Sequence, residues 1–329
     1  MLIHSSAPTR IDLAGGTIDI WPLYLFHDQA QTLNVAISLL ARATIESRDD
    51  SRIAIRSEDT GRSIEVADFR ELTLDGDLSL LRWLLHFFRA KGLTLTTRAE
   101  SPAGAGIAGS SALNIAVCGA MSRWTGANYD HETLLRIAMN VEAQAIAVPT
   151  GVQDYRPALY GGISAVELGV DTVTRVALEV DPRELERRIV LCYTGAPRNS
   201  GTNNWEITKR HIDGDRQVFD CFERIRDTAV RMRQALARED WDEVGRQVAA
   251  EWENRKRLAP GVTTPFIEQL ITKAGQAGAT AAKVCGAGGG GCMFFYAKPA
   301  DTDAVRRAVA DAGGRLLDFK VETEGLRIG

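Results

Sequence analysis

The sequence predicts an α+β fold in two domains, and three observations support this. Strand-like and helix-like runs are mixed in both halves of the chain. The 329 residues are enough for two domains with substantial hydrophobic cores. The pattern is interrupted at Asp181-Pro182 and the charged run that follows, near 181–187. We therefore expect one domain over residues 1–183 and a second over 184–329.

The first domain is expected to mix strands with three helices. Strand-like runs lie near 2–14, 32–48, 52–57, 62–66, 93–99, 161–167 and 172–180. Helix-like runs lie near 79–91, 110–124 and 131–147. The last of these begins after Asp130, which is followed by Glu132, and an Asp in this place is typical of a helix N-cap.

The second domain is expected to be richer in helix. It begins with the apolar run Arg188-Ile-Val-Leu-Cys-Tyr193, which predicts a strand. Long charged helices are predicted at about 216–238 and 240–258, and a third at Pro265–Ala277, where the proline suits a helix start. The chain then predicts strands near 280–284 and 292–297, a helix at 301–312 and a last strand near 315–322.

The composition excludes several classes of protein. A formal net charge of −4 argues against a general nucleic-acid binder. No apolar run approaches the roughly 20 residues of a membrane span, and the first residues lack the basic region and apolar core of a signal peptide. The five cysteines form no Cys-x-x-Cys pair, which favours reduced thiols. We expect a cytoplasmic protein, a monomer or homodimer, with a small-molecule partner.

A glycine-rich loop is the most informative feature of the chain. Pro102-Ala-Gly-Ala-Gly106-Ile-Ala-Gly109-Ser110-Ser111 follows a strand-like run and opens a helix-like one. The backbone N–H groups of such a loop point inward, and the helix dipole adds partial positive charge. The loop is therefore predicted to hold an anion, most naturally a phosphate group.

Three interpretations of this loop are open from its residues. An ordinary turn needs fewer than three glycines and two serines. Gly104-x-Gly106-x-x-Gly109 fits the dinucleotide fingerprint, as in a nicotinamide-dependent dehydrogenase, but a Rossmann strand reads as nearly continuous apolar residues. The preceding strand instead alternates Leu93 and Leu95 with threonines. A nucleoside-triphosphate loop is the third, and the absence of Gly-Lys-Ser/Thr excludes a Walker A loop.

The third interpretation has a specific form, because the loop resembles the phosphate loop of the GHMP small-molecule kinases, roughly Pro-x-Gly-x-Gly-Leu-x-Ser-Ser-Ala. Ile107 stands for the leucine, and Gly109 is one residue more than the shortest form. Two further windows resemble the family's first and third motifs in the right order. They are Ala7-Pro-Thr-Arg10-Ile-Asp-Leu-Ala-Gly-Gly16-Thr17-Ile-Asp19 and Lys283-Val-Cys-Gly-Ala-Gly288-Gly289-Gly-Gly-Cys292. The resemblance therefore covers nearly the whole chain.

The resemblance implies the two-domain GHMP kinase fold, an active site in the cleft between the domains, and ATP with Mg²⁺ as cofactors. It implies that Asp154, in Gly151-x-x-Asp154, is the general base and that Arg10 stabilises the transferring phosphoryl group. Glu142 and Ser111 match the magnesium-binding residues, and oxygen ligands suit Mg²⁺. The implied phosphate cradle consists of Pro102, Gly104, Ala105, Gly106, Ile107, Ala108, Gly109, Ser110 and Ser111.

The implied acceptor is a sugar. Asp19 matches the Asp that binds sugar hydroxyls in this family, with Gly16 and Thr17 beside it. Arg198, in a polar segment 195–204 that also suits a mobile surface loop, resembles a substrate residue of a lid. Gly288 and Gly289 of the third motif are assigned to the substrate side.

The motifs resemble most closely the D-glycero-D-manno-heptose 7-phosphate kinase group, although Thr17-Ile18 break the usual Gly-Gly-Gly-Thr-Asp register. We therefore predict phosphoryl transfer from Mg-ATP to a sugar hydroxyl, such as the anomeric hydroxyl of that heptose phosphate. A kinase for another hydroxylated metabolite, such as a neutral sugar or a mevalonate-like compound, is the alternative within the family. A nicotinamide-dependent dehydrogenase is the alternative outside it.

Overall fold

A computed structural model describes residues 1–196 and 200–329 of the chain, with only the backbone for 200–203. Its larger sheet has eight strands in the order β12-β1-β2-β5-β3-β4, with β6 pairing both β2 and β7. The strands are β1 (Leu2–Ala14), β2 (Gln31–Ser47), β3 (Ile53–Ser57), β4 (Arg62–Val66), β5 (Leu93–Ala99), β6 (Ile163–Leu168), β7 (Val173–Ala177) and β12 (Arg327–Ile328). The long strand β1 contributes to the centre of this sheet and ends where the functional site lies.

Four helices pack with the larger sheet: α1 (Ser79–Phe87), α2 (Gly109–Trp124), α3 (His131–Ile146) and α4 (Tyr155–Tyr160). Helix α2 is buried almost all round, because small residues such as Ala116 and Ala120 allow it to lie closely against β1 and β2. Helix α3 begins at the predicted cap, where the Asp130 carboxylate accepts a hydrogen bond from the Thr133 N–H at 2.8 Å. These helices bring the ends of the loops before and after them to one edge of the sheet.

The smaller sheet has four strands in the order β11-β8-β10-β9. They are β8 (Ile189–Tyr193), β9 (Ala279–Val284), β10 (Cys292–Ala297) and β11 (Arg315–Leu317). The helices of this half are α5 (Pro182–Glu186), α6 (Ser200–Ile212), α7 (Arg216–Ala237), α8 (Trp241–Arg255), α9 (Pro265–Gln276) and α10 (Thr302–Asp311). Helices α7 and α8 are amphipathic and each buries its apolar face. The side chains of Asp215 and Asp240 cap their first turns.

The two sheets share part of their hydrophobic core. Ile11 and Leu33 of the larger sheet belong to the same cluster of buried side chains as Leu191 and Phe294 of the smaller one. The chain also returns at its end, because β12 pairs with β1 after the smaller sheet is complete. This shared packing holds β1 beside β9 and sets the geometry of the site between them.

The predicted fold class is confirmed, and most predicted elements occur with the expected type. Three differences matter. No helix was predicted between Tyr193 and residue 216, but α6 already begins at Ser200. A short helix, α4, follows Asp154 where no helix was predicted. The last predicted strand, near 315–322, ends at Leu317 in the smaller sheet, and Val321 instead forms an isolated bridge with Ile37 of the larger sheet. No helix among the described residues is long and apolar enough to cross a membrane.

Candidate active site

The site is a cavity of about 370 Å³ at the edge where β1, the glycine-rich loop and the start of α4 meet. Residues of both halves of the chain line it, because Asn204, Gly286 and Ala287 complete a wall otherwise formed by the first half. The predicted residues that line the cavity are Arg10, Thr17, Asp19, Pro102, Gly104, Ala105, Gly106, Ala108, Gly109, Ser110, Ser111, Glu142 and Asp154. The fold therefore brings three distant motifs to one cavity.

The glycine-rich loop is held open by left-handed backbone conformations. Gly104 and Gly106 have φ angles of 66° and 75°, and Ala108 adopts φ 60° immediately before α2 begins at Gly109. Only glycine adopts such angles at little cost. The first residues of helix α2 line the cavity, and no side chain caps this turn. The positive end of the helix dipole and the free N–H groups of the first turn are therefore at the cavity. This geometry suits the phosphate groups of a nucleotide.

The glycine loop near the C-terminus supports the phosphate loop from behind. The Cys292 N–H donates to the Ala105 carbonyl oxygen at 2.6 Å. A Cβ on Gly291 would lie 2.6 Å from that same oxygen, so a side chain there would push the two loops apart. The third motif thus fixes the position of the second.

Arg10 and Asp154 form a partly buried ion pair at the base of the cavity. The Arg10 Nη2 and Nε atoms donate to Asp154 Oδ1 at 2.5 and 3.1 Å. Arg10 Nη1 also donates to the Gly106 carbonyl oxygen at 2.9 Å, which links the ion pair to the phosphate loop. The Asp154 side chain keeps 29% of its surface exposed, whereas that of Arg10 keeps 2%. Asp154 can therefore meet a substrate while Arg10 stays in place.

Glu142 lies on α3 with its carboxylate buried beside the loop's serines. Ser110 Oγ donates to one carboxylate oxygen. The Tyr155 hydroxyl donates to the other at 2.8 Å, and Asn114 Nδ2 lies 3.4 Å from it. Burial raises the pKa of Glu142, and the neighbouring Asp154 charge raises it further. The hydrogen bonds from Ser110 and Tyr155 lower this pKa, but by less. A cation at this position would offset that burial.

Asp19 is a buried carboxylate with an unused acceptor. Its Oδ2 accepts a hydrogen bond from the Gln153 N–H at 2.9 Å, while its Oδ1 has no partner among the described residues. Gly151 allows this contact, since a Cβ there would lie 2.0 Å from Asp19 Oδ2. Burial first, and then the Asp154 charge, raise the pKa of Asp19 to about 7. A buried, unpaired carboxylate oxygen at a cavity wall is suited to a hydroxyl donor.

Some predicted residues do not reach the cavity surface. The Ile107 side chain points into the core, although its carbonyl oxygen accepts from the Arg10 N–H at 3.0 Å. Gly16 packs against Arg255 and Asp12, and Gly288 packs against Val262. Gly289 donates its N–H to the Val262 carbonyl at 2.7 Å. Arg198 lies outside the described residues.

Sequence reasoning did not assign other residues that build the site. Tyr155 and Asn114 hold Glu142, and Gln153 holds Asp19. Asp12 and Lys283 form a fully buried ion pair behind Arg10. Asp12, Gln153 and Lys283 lie inside the windows that carry the family resemblance, which is a signal that could have found them, whereas Asn114 and Tyr155 lie just outside. The partners of these residues lie 13 to 271 positions away, so spacing along the chain does not show the contacts.

The raised pKa of Asp19 predicts how stability depends on pH. Between about pH 4 and 7 the folded protein keeps a proton on Asp19 that the unfolded chain loses, so this group makes the free energy of unfolding fall as pH rises. The full effect is on the order of 4 kcal/mol. Asp19→Asn removes it, so the stability of the variant relative to wild type should increase from pH 5 to pH 8. Chemical denaturation at each pH measures the difference.

Asp50→Asn is the matched control for this prediction. The hydrogen bond from Arg48 lowers the pKa of the exposed Asp50, so this group is ionised in both states over the same pH range. Its difference from wild type should be flat between pH 5 and pH 8. A flat difference for Asp19→Asn as well would contradict the assignment of a raised pKa to Asp19.

The fold and the site together define a small-molecule kinase. The description "GHMP kinases N terminal domain" matches residues 78–162, and "GHMP kinases C terminal" matches residues 232–315. The chain belongs to the GHMP kinases, and it is an ATP-dependent phosphotransferase. The outside alternative of a dehydrogenase that uses Gly104–Gly109 is thereby wrong.

Several kinases are similar to this chain along nearly its whole length. The D-glycero-alpha-D-manno-heptose 7-phosphate kinase of Campylobacter jejuni is 29% identical over 99% of this chain and 98% of its own length. The crystal structure of a D-glycero-D-manno-heptose 1-phosphate kinase from Bacteroides thetaiotaomicron is 26% identical, with a TM-score of 0.80 over 99% of this chain and 98% of that one. A Lactococcus lactis galactokinase shares the fold, with a TM-score of 0.83 at 18% identity over 99% of this chain and 95% of its own.

Proposed function

We propose that this GHMP kinase phosphorylates a sugar hydroxyl, and that its acceptor is D-glycero-D-manno-heptose 7-phosphate or a closely related sugar, phosphorylated at the anomeric position. The observation that carries the sugar assignment is the buried Asp19 carboxylate, whose Oδ1 faces no protein donor among the described residues. Two relatives that match nearly the full chain are named as heptose phosphate kinases, which supports the choice of sugar.

Asp154 is the residue we assign to the acceptor hydroxyl. It is the partly exposed member of the Arg10–Asp154 pair and lines the cavity together with Asp19. As a general base it takes the proton of the hydroxyl while the oxygen attacks the γ-phosphorus of ATP, and the bond from that phosphorus to the bridging oxygen breaks to release ADP. Arg10 remains charged and stabilises the negative charge that develops on the transferred group. The pKa of Arg10 is raised above its usual value, because the Asp154 and Asp12 carboxylates together outweigh the effect of burial.

Mg²⁺ fits the carboxylate of Glu142 and the hydroxyls at the start of α2. We add Ser110 to the proposed ligands Ser111 and Glu142, since the Ser110 hydroxyl donates to the Glu142 carboxylate and both serines line the cavity. Burial raises the pKa of the Glu142 carboxyl group, so its ionised form gains from a nearby cation. Hard oxygen ligands of this kind are suited to a divalent cation. When bound, the ion neutralises charge on the ATP phosphates.

Glu142→Gln is expected to raise the Mg²⁺ concentration needed for half-maximal activity by at least tenfold. The amide keeps the shape and the hydrogen bond with Tyr155 but removes the charge that attracts the cation. Titration of activity with MgCl₂ at fixed ATP measures the change. Glu132→Gln, which alters a carboxylate paired with Arg156 away from the cavity lining, is the control. An unchanged titration would remove Glu142 from the metal site.

The acceptor is tested by ADP release from Mg-ATP with a panel of acceptors. The panel contains D-glycero-D-manno-heptose 7-phosphate, the unphosphorylated heptose, galactose, fucose and mevalonate. We expect the highest kcat/KM with the heptose phosphate, and a product phosphorylated at the anomeric carbon by ³¹P NMR. Higher kcat/KM on a neutral sugar or on mevalonate would reject the proposed acceptor while leaving the kinase class intact.

Arg198 is proposed to bind the distal phosphate of that acceptor, since a guanidinium suits phosphate geometry. Arg198→Ala should then lose far more kcat/KM on the heptose phosphate than on the unphosphorylated heptose. Equal losses on both would exclude a phosphate role, and no loss on either would mean that Arg198 does not bind the acceptor.

A further inference from the structure

A cluster of charged side chains lies behind the cavity with almost no contact with solvent. Asp12, Glu251 and Lys283 are 0% exposed, and Arg10 and Arg255 are 1% and 2% exposed. Charges buried to this degree are unfavourable unless they are paired and hydrogen-bonded. We call these five residues the buried charge cluster. Its purpose is not explained by core packing alone, since apolar side chains would fill the same space without this cost.

Asp12 is the centre of the cluster. Its Oδ1 accepts from the Gly286 N–H at 2.9 Å and from Arg10 Nη1 at 3.4 Å. Its Oδ2 accepts from Lys283 Nζ, which also donates to the Asp12 carbonyl oxygen at 2.7 Å. Asp12 lies on β1 and Lys283 on β9, so this pair joins the two sheets. Asp12 therefore connects Arg10 on one wall of the cavity to Gly286 on the other.

Arg255, the last residue of α8, extends the connection. Its Nη2 donates to Thr17 Oγ1 at 3.2 Å and to the Gly286 carbonyl oxygen, and both of these residues line the cavity. Its Nη1 lies 3.8 Å from Glu251. Gly16 makes room for this arrangement, because a Cβ there would lie 2.6 Å from Arg255 Nη1 and 2.9 Å from Asp12 Oδ2.

Arg10 needs a second carboxylate besides Asp154. When Asp154 accepts the proton of the acceptor, it loses its charge, and the Arg10–Asp154 ion pair weakens. Asp12 stays ionised throughout, because Lys283, Arg10 and Arg255 together outweigh burial and hold its pKa well below the usual range. Arg10 thus keeps one permanent counter-charge during the reaction.

We propose that Asp12 and Lys283 are positioning residues that hold Arg10 and the Gly286 loop in the geometry required for phosphoryl transfer. This inference rests on the proposed roles of Arg10 and Asp154. Neither Asp12 nor Lys283 lines the cavity. Their effect on the reaction is therefore exerted through Arg10 and through the loop that closes the opposite wall.

The test is a double variant, Asp12→Asn with Lys283→Met, which removes both charges of the pair and so leaves neither of them unpaired. We expect kcat to fall by about 10-fold to 100-fold, with the Mg-ATP Kd within about threefold of wild type. In an Arg10→Ala background the same two substitutions should cause no further fall in kcat. If the kcat losses of Arg10→Ala and of the double variant multiply when the substitutions are combined, the pair does not act through Arg10 and the proposal is overturned.

A second readout does not depend on the acceptor. A crystal structure of the double variant should show Arg10 displaced from Asp154 and from the Gly106 carbonyl. Arg10 retained at wild-type distances would overturn the proposal even if no sugar in the panel is phosphorylated. A wild type that phosphorylates none of the acceptors, with Arg10 displaced in the variant, would instead reject the proposed function alone.

Two further variants keep the test decisive. Lys320→Met is the control, because it removes an exposed lysine that lies 3.8 Å from Glu186, and it should leave kcat unchanged. If the double variant does not fold, Gly16→Ala keeps every charge and presses a methyl group against Arg255 and Asp12. It should also lower kcat and displace Arg10. Wild-type kcat and an undisturbed Arg10 in Gly16→Ala would count against the proposal.

Discussion

Asp154→Asn is expected to lower kcat by about 10²-fold to 10⁴-fold, the range that a general base contributes. The amide has the shape of the carboxylate but cannot take the proton of the acceptor hydroxyl. Arg10 keeps its hydrogen bond to the Gly106 carbonyl and its contact with Asp12, so the phosphate loop should retain its conformation. Steady-state kinetics at saturating Mg-ATP, together with calorimetric titration of Mg-ATP, separate the loss of turnover from any loss of binding.

Asp171→Asn controls for the loss of a carboxylate as such, because Asp171 is exposed in the turn between β6 and β7. It should behave as wild type. Turnover by Asp154→Asn within about threefold of wild type would remove Asp154 from the proton transfer and leave it as a partner of Arg10 only. Equal loss of ATP affinity and kcat would indicate damage to the loop instead.

Gly106→Val is expected to abolish measurable Mg-ATP binding, with the Kd raised by at least 100-fold. Gly106 has a φ of 75°, which a β-branched residue can adopt only with strain. Its carbonyl also holds Arg10 at 2.9 Å, and the residue lines the cavity. A side chain there forces the loop to change shape and blocks the close approach of phosphate to the backbone. Calorimetric titration with Mg-ATP measures the loss.

Gly76→Val is the matched control, because Gly76 also has a φ of 75° but would present its Cβ to open space. The control variant carries the same backbone strain away from the cavity and should bind Mg-ATP normally. Unchanged ATP affinity in Gly106→Val would mean that the triphosphate does not lie on this loop. Lost affinity in both variants would point to general destabilisation.

The sequence predicted local structure best at residue types that occur in only a few backbone settings, such as glycine with a left-handed φ angle and aspartate at a helix start. Glycines that need left-handed φ angles, at Gly104 and Gly106, identified the phosphate loop without knowledge of any partner. Asp130 identified the start of α3, because a capping carboxylate acts on the N–H groups of its own first turn. Helix α6 was missed, since its first residues are polar and include a glycine, and its position depends on packing against α7.

The sequence by itself determined the α+β class, the family motifs and the residue types available for phosphoryl transfer, because these depend on neighbours close along the chain. Only the tertiary structure decided which of them meet. The pairing of Arg10 with Asp154 and of Asp12 with Lys283 joins residues 144 and 271 positions apart. Asp19 acquires its raised pKa from burial and from the Asp154 charge. Burial and Coulomb energy depend on distance in space, and no spacing along the chain records that distance.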